Sequence, residues 1–208
     1  MKKLFRFYSL PLYICVRPFN GFYEMKFLGK GKMWIAFLNF FLLSVSISFS
    51  NQYSSVIVNQ RYPLGLNSFW DLIILTTAVL LFCVSNWAVT SITDGEGKFH
   101  EIFMAFSYAM TPLVLTTVPM AIFSGFLTHE EAAFYHILNG IILFWFILLV
   151  FIGLVTIHNY SAAKALLTVF LTFVSLIVIV FLITLLFTLW FHLVTFAESV
   201  YTEIMFRP

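Results

Sequence analysis

Residues 165–191 contain no charged side chain. As a helix they measure about 40 Å, longer than the roughly 30 Å hydrocarbon core of a bilayer. Four more apolar runs precede this one, at about 34–49, 69–92, 102–127 and 132–157. The last apolar element starts near residue 162 and extends to about 206. Of the 208 residues, 62% are apolar and 10% charged, and phenylalanine occurs 27 times. A soluble domain has about a quarter of its residues charged and could not hide this much apolar surface. Lipid tails solvate such side chains without penalty. The expected fold is therefore all-α: a polytopic membrane helical bundle of five transmembrane helices, with no room for a second globular domain.

The charges are unevenly placed. Seven of the eleven Lys and Arg residues precede Trp34, and only Glu24 opposes them. Residues 1–33 thus form a basic arm, interleaved with Phe5, Phe7, Tyr8, Tyr13, Phe19, Phe22 and Tyr23, ahead of a spanning domain at 34–208. Basic residues mixed with aromatic ones suit an anionic headgroup layer, so the bilayer is the expected partner and nucleic acid is not. Arg6 and Pro11 interrupt the early apolar run, which argues against a cleaved leader. With the N-terminus inside, the inner segments hold those seven cations plus Lys98 and Lys164, and the outer ones only Arg61 and Arg207. Such a bias predicts a cytoplasmic N-terminus and an extracellular C-terminus.

Local signals refine the elements. Ser68 with Asp71, and Thr128 with Glu131, have the spacing of helix capping boxes. Pro112 and Pro119 each remove a backbone donor, so the third span should kink or break. The fifth helix is too long for the bilayer and should tilt or project as an amphipathic extension.

Candidate chemistry is sparse. The turn Asp94-Gly95-Glu96-Gly97-Lys98 lacks the spacing of a phosphate loop and joins two helices, not a strand and a helix. It reads as a solvated turn or as a docking point for a cytoplasmic partner. His129, Glu130, Glu131 and His136 do not have zinc-site spacing, and no nucleophile pairs with both a His and an acid. Cys15 and Cys83 give no disulfide framework. No catalytic residue, cofactor or metal is expected. Thr184, Thr188, His192, Thr195, Ser199 and Thr202 recur every three or four residues and share one helix face. Thr168, Thr172 and Ser175 form a second stripe, and Asn86, Thr90 and Thr93 a third. Intramembrane polar stripes serve interhelical hydrogen bonding or line a substrate path.

Several short motifs then occur in order: Arg17-Pro18-Phe19-Asn20-Gly21-Phe22, Trp87, Asp94-Gly95-Glu96-Gly97-Lys98-Phe99, Tyr108-Ala109-Met110-Thr111-Pro112, and His158 with Tyr160-Ser161. With them the chain resembles bacterial members of the Yip family, membrane proteins named for interaction with Ypt/Rab GTPases. The resemblance implies a five-span bundle with a cytoplasmic N-terminus and a non-enzymatic role. The Asp-Leu-Tyr-Gly-Pro motif and long cytosolic region of eukaryotic members are missing, so Rab binding is not carried over. Bacterial relatives assist membrane complexes, which implies an accessory or assembly subunit in the cell membrane. Its partners would be other integral membrane subunits, such as an ABC transporter permease or ATPase. Arg17, Phe19, Asp94, Glu96, Lys98 and Phe99 are the expected contact residues. The alternative is a small stand-alone transporter or channel using the stripe at Thr184, Thr188, His192, Thr195 and Ser199.

Overall fold

The computed structural model describes residues 9–59 and 67–206. Lys2, Lys3 and Arg6 of the arm, and both outer cations Arg61 and Arg207, lie outside the described residues. The described residues form helices α1 (Ser9–Val16), α2 (Pro18–Lys26), α3 (Met33–Tyr53), α4 (Ser68–Ile92), α5 (Phe99–Ala109), α6 (Thr111–Ser124), α7 (Ala132–His158) and α8 (Ala162–Phe206). Five units are long and apolar enough to cross a bilayer: α3, α4, α5 with α6, α7 and α8. The expected all-helical polytopic bundle is the fold observed.

The third span is the most enclosed. Ile102, Phe103, Met104, Ala105, Tyr108 and Ala109 of α5 are all buried, with α3, α4 and α7 packed around them. This span breaks at Met110, between α5 and α6 and just before Pro112, whereas Pro119 lies inside α6 without ending it. Pro112 has no N–H for the carbonyl four residues back, that of Tyr108. The Thr111 hydroxyl donates to that carbonyl instead, at 2.6 Å. Asn39 of α3 seals the break by donating to the Ser107 carbonyl, and to Thr111 Oγ1 at 3.2 Å. Close by, the Tyr108 hydroxyl donates to the Lys32 carbonyl and accepts from the Lys32 amide, both at 3.0 Å.

The arm is folded into the bundle. Pro18 stands in the first turn of α2, where its missing donor costs nothing. Helix α2 lies on α7 and buries Phe22 and Met25, while Ile14 of α1 packs against Gly21. Phe22 is fully buried against Gly153 of α7, where an added Cβ would lie 3.1 Å from the ring.

Two caps differ from the sequence expectation. The cap of α4 is Asn67, whose side-chain oxygen accepts from the Phe69 amide at 3.0 Å. Ser68 is already helical, and Asp71 accepts instead from the Asn51 amide group at 2.7 Å. Asn caps a helix as well as Ser does, so the cap falls one residue earlier. The Thr128–Glu131 pair closes a turn that precedes α7. Glu131 accepts from the backbone amide and the hydroxyl of Thr128, both at 3.0 Å, and these bonds hold its carboxyl below the usual carboxylate range.

Helix α8 runs for 45 residues without a break, about 67 Å. Ala165, Thr168 and Thr172 are buried, mainly against α4, whereas every position from 181 to 206 is exposed in the chain.

Candidate docking surface and its supporting network

At the end of the bundle where α4 stops, residues 94–98 fold back onto the corner between α7 and α8. Both chain reversals use a residue in the left-handed region: Asp94 at φ 55° and Asn159 at φ 54°. Asp and Asn tolerate that conformation better than other non-glycine residues. Each reversal closes with a bond spanning the last turn: Gly95 N–H to the Thr90 carbonyl at 2.8 Å, and Tyr160 N–H to the Val155 carbonyl at 3.1 Å. These are C-terminal caps of the Schellman type, so two α-helices end in matched geometry side by side.

His158 stands between them, 1% exposed. Its Nδ1 accepts from the Gly97 amide at 3.2 Å. That bond assigns the ring proton to Nε2, which faces Asn86 Oδ1 at 3.3 Å. The Asn86 amide group then donates to Thr172 Oγ1 at 3.1 Å, and the Thr172 hydroxyl to the Thr168 carbonyl at 2.8 Å. One chain of hydrogen bonds therefore joins the turn, α7, α4 and α8. Beside it the Tyr160 hydroxyl donates to the Thr93 carbonyl at 3.0 Å, and the Tyr160 ring stacks on that of His158. Lys164 covers the Tyr160 ring at 4.5 Å.

The two glycines of the turn answer to this packing. A Cβ at Gly95 would lie 2.7 Å from both His158 Nδ1 and the Tyr160 hydroxyl. One at Gly97 would lie 2.5 Å from His158 Cε1 and 2.6 Å from Ile157 Cγ2. Glycine is needed here for close approach, and the turn is not a phosphate cradle.

Lys26 links arm and turn. Its ammonium donates to the Ile157 carbonyl, at the negative end of α7, and stands 3.7 Å from the Glu96 carboxylate. The Lys98 amide donates to Glu101 Oε2 at 3.0 Å, which starts α5.

Against this frame the expected contact residues take definite positions. Asp94, Glu96 and Lys98 are exposed, as are Arg17, just before α2, and Phe19 on it. Phe99 is half-buried and meets Trp87 edge-on at 6.3 Å. The turn and the arm meet at the Lys26–Glu96 contact. The stripe at Thr184, Thr188, His192, Thr195 and Ser199 lies far along α8 on its exposed part, with the Thr and Ser hydroxyls donating to their own helix carbonyls. The second and third stripes do come together, through Asn86 and Thr172. Sequence reasoning marked both stripes but did not pair them, and it passed over Lys26. Residues 86 positions apart give no periodic signal. Among the described residues, no three His, Cys, Asp or Glu side chains converge as metal ligands.

Five apolar helical spans enclosing a buried polar network define a multi-pass membrane protein of the α-helical class. Residues 12–197 match the family model described as the Yip1 domain, and the chain belongs to that family. Comparison with curated proteins and with solved structures gives no match.

Proposed function

We propose that this protein is a non-enzymatic accessory or assembly subunit of a membrane complex, such as an ABC transporter, in the cell membrane. Its N-terminus is cytoplasmic and its C-terminus extracellular. The carrying observation is the way residues 94–98 are held. Backbone, ring and ammonium contacts fix the turn from beneath, the ammonium of Lys26 through Glu96, while the side chains of Asp94, Glu96 and Lys98 remain exposed. A preorganised charged loop at the mouth of a bundle suits recognition, because its ordering cost is met before the partner arrives. The exposed residues Arg17, Phe19 and Tyr23, at the start and along α2, add cationic and aromatic groups to the arm that meets the turn at Lys26. Family membership supports the membrane setting, and the sequence resemblance to bacterial relatives motivates the kind of partner.

The test is gentle extraction of the tagged protein from its native membrane and identification of what stays bound. Permease or ATPase subunits should be recovered in stoichiometric amount. Replacing Asp94, Glu96 and Lys98 together by Ala should deplete them at least about tenfold, the effect of some 1.4 kcal/mol. Unchanged recovery would remove the turn from the interface. Solute flux in liposomes holding this protein alone, abolished by His192→Ala, would replace the accessory reading with transport.

A further inference from the structure

We infer that His158 is a proton-sensitive latch: it holds the 94–98 turn closed while its Nδ1 is unprotonated and releases the turn when that nitrogen gains a proton. The geometry leaves the imidazole a single role on each nitrogen. Nδ1 accepts from Gly97 N–H at 3.2 Å, and Nε2 faces Asn86 Oδ1 at 3.3 Å. A proton on Nδ1 would set two N–H groups against each other and turn the bond into a repulsion. The ring cannot step aside, since it is 1% exposed, stacked on Tyr160 and in contact with both turn glycines.

Charged and polar groups from four elements surround the ring. Lys26 from α2 is a cation within electrostatic reach of the ring. From α4 the facing group is the uncharged Asn86, itself bonded to Thr172 of α8, with the Lys164 ammonium lying over the neighbouring Tyr160 ring. Glu101 of α5 is an opposing anion, but its Oε2 is bonded to the Lys98 amide, and Glu96 in the turn is engaged by Lys26. An imidazolium at this position would be buried beside a cation with one hydrogen-bond donor unmatched. The lower-energy response is for residues 94–98 to lift away and let the ring reach water. Opening also separates Glu96 from Lys26, so the turn and the arm come apart together. The latch is thus a regulator of the surface assigned above to partner docking, and only its consequence for docking rests on that assignment.

The latch itself is read without a partner. In the full chain in lipid nanodiscs, hydrogen exchange of the segment containing residues 94–98 is measured at about pH 7.5 and about pH 5 and corrected for intrinsic exchange. Protection in the unsubstituted protein should fall by about tenfold or more on acidification. His158→Asn keeps a side-chain oxygen near the Nδ1 position but cannot take up the proton, so its protection should not change with pH. Equal protection of the unsubstituted protein at both pH values, or equal loss in His158→Asn, would overturn the latch. If that variant does not fold, nitrogen NMR of His158 decides. Its Nδ1 signal and the Gly97 amide should titrate with one midpoint, and separate midpoints would refute the coupling. Partner capture repeated at both pH values then distinguishes the two ideas. A turn that opens in acid without losing the partner leaves the latch intact and removes the docking assignment.

Discussion

Gly97 approaches His158 more closely than any side chain would allow, so substitution there isolates the role of the turn. Gly97→Ala should force the turn off the corner at about 1–3 kcal/mol, the usual cost of overpacking. The loss is checked by exchange of the 94–98 amides, which should become rapid at all pH values. Two neighbours on α4 invite opposite expectations. Asn86 serves His158 and Thr172, so Asn86→Leu leaves buried polar groups unmatched and should lower stability by about 1–3 kcal/mol. Ser85 Oγ is buried with no hydrogen-bond partner among the described residues, so Ser85→Ala should be neutral or stabilising. Thermal unfolding of both variants in one detergent compares them directly. In the arm, burial pushes the Cys15 thiol up from 9.0 to about 11. The thiolate therefore forms only at high pH. Near pH 8, maleimide should modify Cys15 about 100-fold more slowly than an exposed cysteine on the same protein.

At the scale of elements, the arm departs from what its sequence suggests, and the last helix extends well past its packed part. The arm is basic and aromatic, which reads as a peripheral segment, yet α2 packs Phe22 into the core against Gly153. Phe22→Ala should cost about 3–5 kcal/mol and free the arm, seen as faster tryptic cleavage after Lys26. By contrast α8 holds the most apolar stretch of the five spans and is the least covered of them. Its buried residues, Ala165, Thr168 and Thr172, all lie in its first half. Removing residues 181–206 would leave about 28 Å of helix, enough to span, so bundle stability should be little changed. A large drop in the unfolding temperature of that truncated protein would show that the exposed half supports the fold.

For the whole molecule the open quantity is orientation. The charge bias of the sequence predicts residues 94–98 inside and the loop after α3 outside. Position 94 is exposed and outside the glycine contacts, and Val56 is 82% exposed. In a background with Cys15 and Cys83 replaced, an impermeant thiol reagent added to intact cells should label Val56→Cys and spare Asp94→Cys. The reverse pattern would invert the topology and place the docking surface outside.

Much of the architecture was legible in the residues alone. Five long apolar runs point to membrane-spanning helices, because unpaired backbone in lipid is prohibitive. Proline placed the break in the third span, and the start of α8 at Ala162 was readable from the turn before it. The cap of α4 was misread by one residue because Asn67, Ser68 and Asp71 are all competent capping residues, and only backbone geometry chooses among them. The candidate site was half legible. Asp94, Glu96 and Lys98 declared themselves as charges between two spans, but the reason for Gly95 and Gly97 did not. That reason is the His158 ring, some sixty positions on, and the partners of that ring lie on two further helices. Local spacing encodes which residues share a helix face. Which faces meet, and which buried nitrogen must stay unprotonated for them to meet, is decided by packing between helices distant in the chain.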